Sequence, residues 1–260
     1  MRFRQFLWGL LAITICLRAN AQQSRQPDID AALEMDTWSG AEYKLVSGAI
    51  KTGSVALPLF TDPNGSRLLK KLTSGRNLEY CSQASVPLRD RFMNTSDILI
   101  GMSEVSLAYA DLAKKSDRKI ADELSVVIVF VLEATACANS LVAELYDALP
   151  ANVTFNSSQR GGIESICSGT KTVIGATEEG IYDRDYMAPR NAAALLNSVA
   201  LVMPHVARCI DKDFARQFAR RLKAHESQFK SERERSDFNR ITGLLKEIES
   251  GKHPHFLSTR

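Results

Sequence analysis

Apolar residues return every three or four positions along most of this chain and almost nowhere at every second position. The first spacing lines one face of an α-helix, whereas the second would mark a half-buried strand. No alternating apolar and β-branched run closes on an Asn-Gly or Asp-Gly hairpin, so an all-α fold is predicted. Residues 28–50 read as one or two short helices. Thr52 to Pro63 reads as extended, "DPNG" at 62–65 as a turn, and residues 66–74 as a short helix ending at Gly75. Longer helices are predicted over 87–115 and about 117–149, with Asp117 as a cap and Pro150 as a stop. After the polar loop "ANVTFNSSQRGG", helices follow over 162–182, from Pro189 to about Cys209, and from Asp211 or Asp213 to about Lys230. Ser236 or Asp237 opens the last, which ends at Gly251. The sum is a bundle of about six to eight helices. No internal repeat or low-complexity linker divides it, so residues 22–260 are predicted to form one domain with a tail that frays from about 251.

The most apolar stretch, "LSVVIVFVLEATACANSLVA" at 124–143, carries a single charge, Glu133. At 100° per residue, Leu124, Val127, Ile128, Val131, Leu132, Thr135, Val142, Leu145 and Tyr146 gather on one broad side. Glu133 falls on a narrower line with Asp122, Ser140, Glu144 and Asp147, beside Cys137. A lipid-facing helix has no use for a seam that is polar at both ends. A central helix of a soluble bundle does, where a neighbour covers it only in part.

The first 21 residues change the compartment and the charge. Arg2 and Arg4 precede an apolar run from Phe6 to Leu17, and Ala19-Asn20-Ala21 supplies small side chains before Gln22. This is the pattern of a cleaved secretory signal, too short to span a bilayer, and no other transmembrane segment is expected. The whole chain carries a net charge of +3, but three arginines and no acid lie in that signal, leaving 30 basic against 30 acidic residues. Global basicity therefore offers no argument for a nucleic-acid partner. A periplasmic or extracellular home is expected. Four Asn-x-Ser/Thr sequons, at Asn64, Asn94, Asn152 and Asn156, would matter only in a eukaryotic host.

Export makes disulfides the default for Cys81, Cys137, Cys167 and Cys209, since no CxxC or paired His suggests zinc. Cys137 and Cys167 lie about equally far from the loop near Asn152, which in an antiparallel helix pair puts them at one level. The expected bridges are Cys137–Cys167 and, by remainder, Cys81–Cys209.

Catalytic signatures are missing. "HESQF" at 225–229 has Phe229 where a metalloprotease needs its second histidine, and no GxSxG elbow or P-loop occurs. Asp62, Asn64 and Ser66 imitate a calcium loop, but Arg67 and Thr73 occupy its glycine and terminal carboxylate positions. His205 reads as a core group and "HPHF" as a loose tail. "TEEGIYDRDYM" at 177–187 gathers acids and tyrosines that read as a solvated turn. Ser165, Gly169, Thr172, Ala176 and Gly180 form a small-residue stripe for close helix packing. No catalytic residue, cofactor or metal site is assigned. A general acid or base role for Glu133, with an unidentified second acid, defines a competing carboxylate hydrolase.

The most directional surface signal lies in the helix beginning at Asp211. Phe214, Phe218, Leu222, His225 and Phe229 make its core stripe, and Lys212, Arg216, Arg220, Lys223 and Lys230 project opposite. The expectation is an exported, non-catalytic binding or adaptor protein, of which an inhibitor or immunity-type partner of another protein is one form. Its partner is another protein or an anionic envelope component. A structural envelope component is the remaining alternative.

Overall fold

The structure is a computed structural model that describes residues 29–115, 120–150, 154–183 and 185–257. Residues 1–21, read above as a secretory signal, and Asp117 lie outside the described residues, as does the sequon residue Asn152. Among the described residues the chain forms nine α-helices and no strand. They are α1 (Ile29–Glu34), α2 (Gly40–Thr52), α3 (Pro63–Leu72), α4 (Leu88–Lys115), α5 (Ala121–Ala148), α6 (Ser157–Tyr182), α7 (Pro189–Val206), α8 (Lys212–Ala224) and α9 (Glu232–Ser250). The predicted all-α, two-disulfide architecture is the one observed.

Capping chemistry moved several helix starts. Asp62 accepts hydrogen bonds from the N–H groups of Asn64 and Gly65, so Pro63 opens α3 where a free turn was expected. Asn156 and Gln159 form a capping box that starts α6 five residues before the predicted boundary at 162. Ser231 and Glu234 do the same for α9, ahead of the expected Ser236 or Asp237. Cys81 sits in a 3-10 helix, Gly75–Ser82.

Helix α5 is the centre, packed by α4, α6 and α7. Arg91 meets Glu144, and Thr95 meets Cys137, so α4 runs antiparallel to it. Asp122 bonds Arg190 and Asn191 at one end while Asp147 bonds Arg208 at the other, so α7 runs parallel. Both α5 and the stretch Pro189–Cys209 are long and apolar enough to cross a membrane, yet each is mostly buried against its neighbours. On the predicted apolar side of α5, Leu124, Val127, Leu132 and Tyr146 are buried, whereas Leu145 is exposed. Phe130 stacks on Tyr43 of α2 at 5.8 Å, joining the α2 and α4 layer to the centre. Within the predicted small-residue stripe, a Cβ on Gly180 would come 2.9 Å from Leu195, so α6 and α7 approach closely there.

The bridges are Cys81–Cys137 and Cys167–Cys209, with Cα atoms 5.9 and 4.6 Å apart, which overturns the expected pairing. Asn139 on α5 donates to Thr170 Oγ1 on α6 at 2.9 Å, a register that sets Cys137 opposite Thr172, about 7.5 Å along the axis from Cys167. Rotation separates them further: Asn139 is about 200° around the helix from Cys137. Cys137 consequently faces α4 and the 3-10 helix, while Cys167 faces Cys209.

A second, smaller core joins Val142, Tyr146, Phe155, Cys167, Cys209 and Phe256. The tail expected to fray from 251 folds back into it. Gly251 takes a left-handed conformation (φ 85°) and caps α9. Beyond it, the Phe256 N–H donates to the Arg208 carbonyl at 3.0 Å. The Arg208 guanidinium sits 4.3 Å from the ring centroids of both Tyr146 and Phe256.

Candidate functional site

The sequence of α8 divides it cleanly. Asp211 caps the helix by accepting from the Phe214 N–H at 2.8 Å, and Ala215, Phe218 and Leu222 are buried. Lys212, Arg216, Arg220 and Lys223 are exposed on the other side. The helix stops at Ala224, because residues 226–228 tighten into a 3-10 turn. Lys230 is therefore exposed in the connection to α9 and does not extend the α8 face, contrary to the single helix expected to 230.

Arg216 is already partnered, with Glu249 of α9 at 2.9 Å and Asp213 at 3.2 Å. That contact and the proximity of Lys212 to Gly251 set α8 and α9 antiparallel. Most of the other acids here are also engaged, in ion pairs or as hydrogen-bond acceptors. Asp211 holds Lys171, Glu234 caps Ser231, Asp237 accepts from Asn197, and Glu247 holds Lys252 and His253. Lysine pairing and the α8 cap together hold the Asp211 carboxyl below its ordinary value, although burial pulls the other way. Lys212, Arg220, Lys223 and Lys246 have no carboxylate partner among the described residues. Lys246 lies one turn before Glu249 and Arg220 one turn after Arg216, so the antiparallel arrangement brings them to the same level. Glu226 and Glu232 are the unpaired acids here, and both lie at the turn end. A stretch of nearly balanced composition thus exposes a basic face away from its turn, because most of its acids are held in pairs and caps.

The seam on α5 is resolved by the same kind of pairing. Asp122 meets Arg190 at 2.5 Å, Glu144 receives both arms of the buried Arg91 at 2.6 and 2.9 Å, and Asp147 meets Arg208 at 2.9 Å. Ser140 lies 3.2 Å from His205 Nδ1, and His205 is exposed on α7, not in the core. Glu133 is exposed and has no hydrogen-bonding partner among the described residues. Its apolar surroundings push its carboxyl above the ordinary range by desolvation. A carboxyl with a raised folded pKa costs stability once pH rises past its unfolded value, near 4.3. Glu133→Gln is therefore expected to be more stable than the native chain at pH 7, with the gain vanishing below about pH 4. Urea denaturation at the two pH values checks this, and a variant less stable at pH 7 would refute it.

One cluster escaped the sequence reading. Glu178, expected in a solvated turn, is buried near the end of α6 and receives Arg221 of α8 in a double hydrogen bond at 2.7 and 2.8 Å. Tyr182 donates to the same carboxylate at 3.1 Å and stacks on His225 at 4.1 Å. Burial raises the Glu178 carboxyl, with the hydrogen bonds from Arg221 and Tyr182 opposing it. The available signal was Arg221 itself, which projects to the flank of α8 between its apolar and basic stripes.

No group of three or more histidine, cysteine or acidic side chains suited to a metal ion occurs among the described residues. What the α8–α9 face can do is attract anions through several mobile, hydrated cations. No protein-family model, curated protein or solved structure matches this chain.

Proposed function

We propose that this protein is an exported, non-catalytic binding protein that holds an anionic partner against the outward face of α8 and α9. Two disulfides suit an oxidising compartment, and the leading 21 residues carry the composition of a secretory signal. The observation that carries the binding reading is the asymmetry of pairing: most acids of the hairpin are held by other side chains, the exceptions Glu226 and Glu232 lying at its turn end, while Lys212, Arg220, Lys223 and Lys246 have no carboxylate partner among the described residues. Exposed cations without partners keep their field for an incoming anion, and they tune association rate and salt dependence.

The carboxylate-hydrolase reading rests on Glu133, whose raised pKa suits proton transfer. On its own seam it finds no free second acid among the described residues, since Asp122, Glu144 and Asp147 are each held by an arginine. A structural envelope component would self-associate without a partner.

Reversing Arg220, Lys223 and Lys246 to Glu tests the proposal. The expected result is at least tenfold weaker co-purification of an anionic component from envelope extract, with unchanged circular dichroism. Equal recovery by native and reversed proteins refutes this face as the binding site. Arg216 is left intact because its contact with Glu249 helps hold the hairpin together.

A further inference from the structure

The same face says what kind of anion it suits, and we infer that it takes a linear anionic polysaccharide; this rests on the binding reading above. Lys212, Arg216, Arg220 and Lys223 fall at about one cation per helical turn over roughly 17 Å. Lys246 stands beside this line at the level of Arg220. Arg216 is committed to Glu249, so the free charges lie at the two ends and across the hairpin. A track of this form matches a polymer that repeats its carboxylate, sulfate or phosphate along an extended chain. Beside Lys246 on α9, Asn239 is exposed and Gly243 has open space where a side chain would stand, so the neighbouring surface is polar and unobstructed.

The face also lacks what the other anionic partners require. Protein interfaces are anchored by buried aromatic or apolar side chains surrounded by a polar rim. A helix that lies on a bilayer inserts an apolar face. Among the described residues the large exposed hydrophobic side chains, Met35, Phe60, Met93, Leu145 and Leu201, all lie outside α8 and α9. The apolar stripe of α8 is spent inside, with Phe218 and Leu222 fully buried. Binding here is therefore electrostatic and hydrated, suited to a polymer whose own surface is charge and hydroxyl.

The test measures binding of the purified exported protein to three polyanions at equal charge concentration: a sulfated or polyuronate glycan, poly-glutamate, and vesicles containing anionic phospholipid. The glycan is expected to bind at least tenfold more tightly than the other two, and the Arg220→Glu, Lys223→Glu, Lys246→Glu variant is expected to lose that binding. Neutral Arg220→Gln and Lys223→Gln variants give an intermediate loss and guard against misfolding of the reversed protein. Tighter binding to poly-glutamate or vesicles, lost in the same variant, overturns the glycan assignment while leaving the anion-binding face. Failure to bind any of the three at low salt overturns both.

Discussion

Removing the Cys167–Cys209 bridge by substituting both residues with Ala is expected to lower the unfolding free energy by about 4 kcal/mol, from the entropy that a loop of this size restores to the unfolded chain. The two cysteines are 42 positions apart. The bridge ties α6 to the turn after α7 and lies within the second core, where both cysteines are buried. The same loss is expected for the Cys81 and Cys137 pair, 56 positions apart. Guanidinium denaturation of the double variants gives the magnitudes. Peptide mapping of the non-reduced protein gives the connectivity, and a fragment joining Cys137 to Cys167 would contradict it.

Phe256→Ala is expected to cost about 3–5 kcal/mol, the range for truncating a buried aromatic residue. A tail residue would ordinarily cost nothing, but Phe256 is only 1% exposed and packs against Tyr146 and the Arg208 guanidinium. Its removal also takes one of two rings from Arg208, which anchors Asp147. The matched control is Phe60→Ala, whose side chain is 39% exposed and whose loss should be far smaller. Equal melting temperatures for Phe256→Ala and the native protein would restore the frayed tail.

Periodicity made the helices legible because burial of one face is a local property of the sequence. It also separated the two sides of α8, and it located the seam on which Glu133 lies. Rotation about each helix axis was beyond its reach. Counting residues to the loop set Cys137 level with Cys167, but the stagger of α5 against α6 depended on contacts such as Asn139 with Thr170, and which way each cysteine faced depended on α4 and the turn holding Cys209. Docking of the tail was hidden for a related reason: Phe256 finds its core across the chain, beside Tyr146 and Cys167. The Glu178–Arg221 pair joins residues 43 positions apart, so nothing in the neighbourhood of either one announces it.

The basic face was visible as a stripe, and its significance was not. Composition counts charges, whereas a partner meets only those left over after the fold has paired them. Of the five cations singled out by the stripe, Arg216 is taken by Glu249 and Lys230 is displaced into the connection. Lys212, Arg220 and Lys223 remain on α8, and Lys246, absent from the sequence reading, joins them from α9.

The most direct measurement of this account is the salt dependence of binding to an anionic glycan. Each free cation that meets the polymer displaces counterions, so the logarithm of affinity should fall linearly with the logarithm of salt concentration. Neutralising Arg220, Lys223 or Lys246 to Gln is expected to make that slope shallower with each change. Neutralising Lys44 or Lys51, exposed cations already paired with Asp97 and Glu104, should leave it unaltered. A slope that ignores the first three substitutions, or responds equally to all five, would contradict the claim that unpaired charge on α8 and α9 forms the binding face.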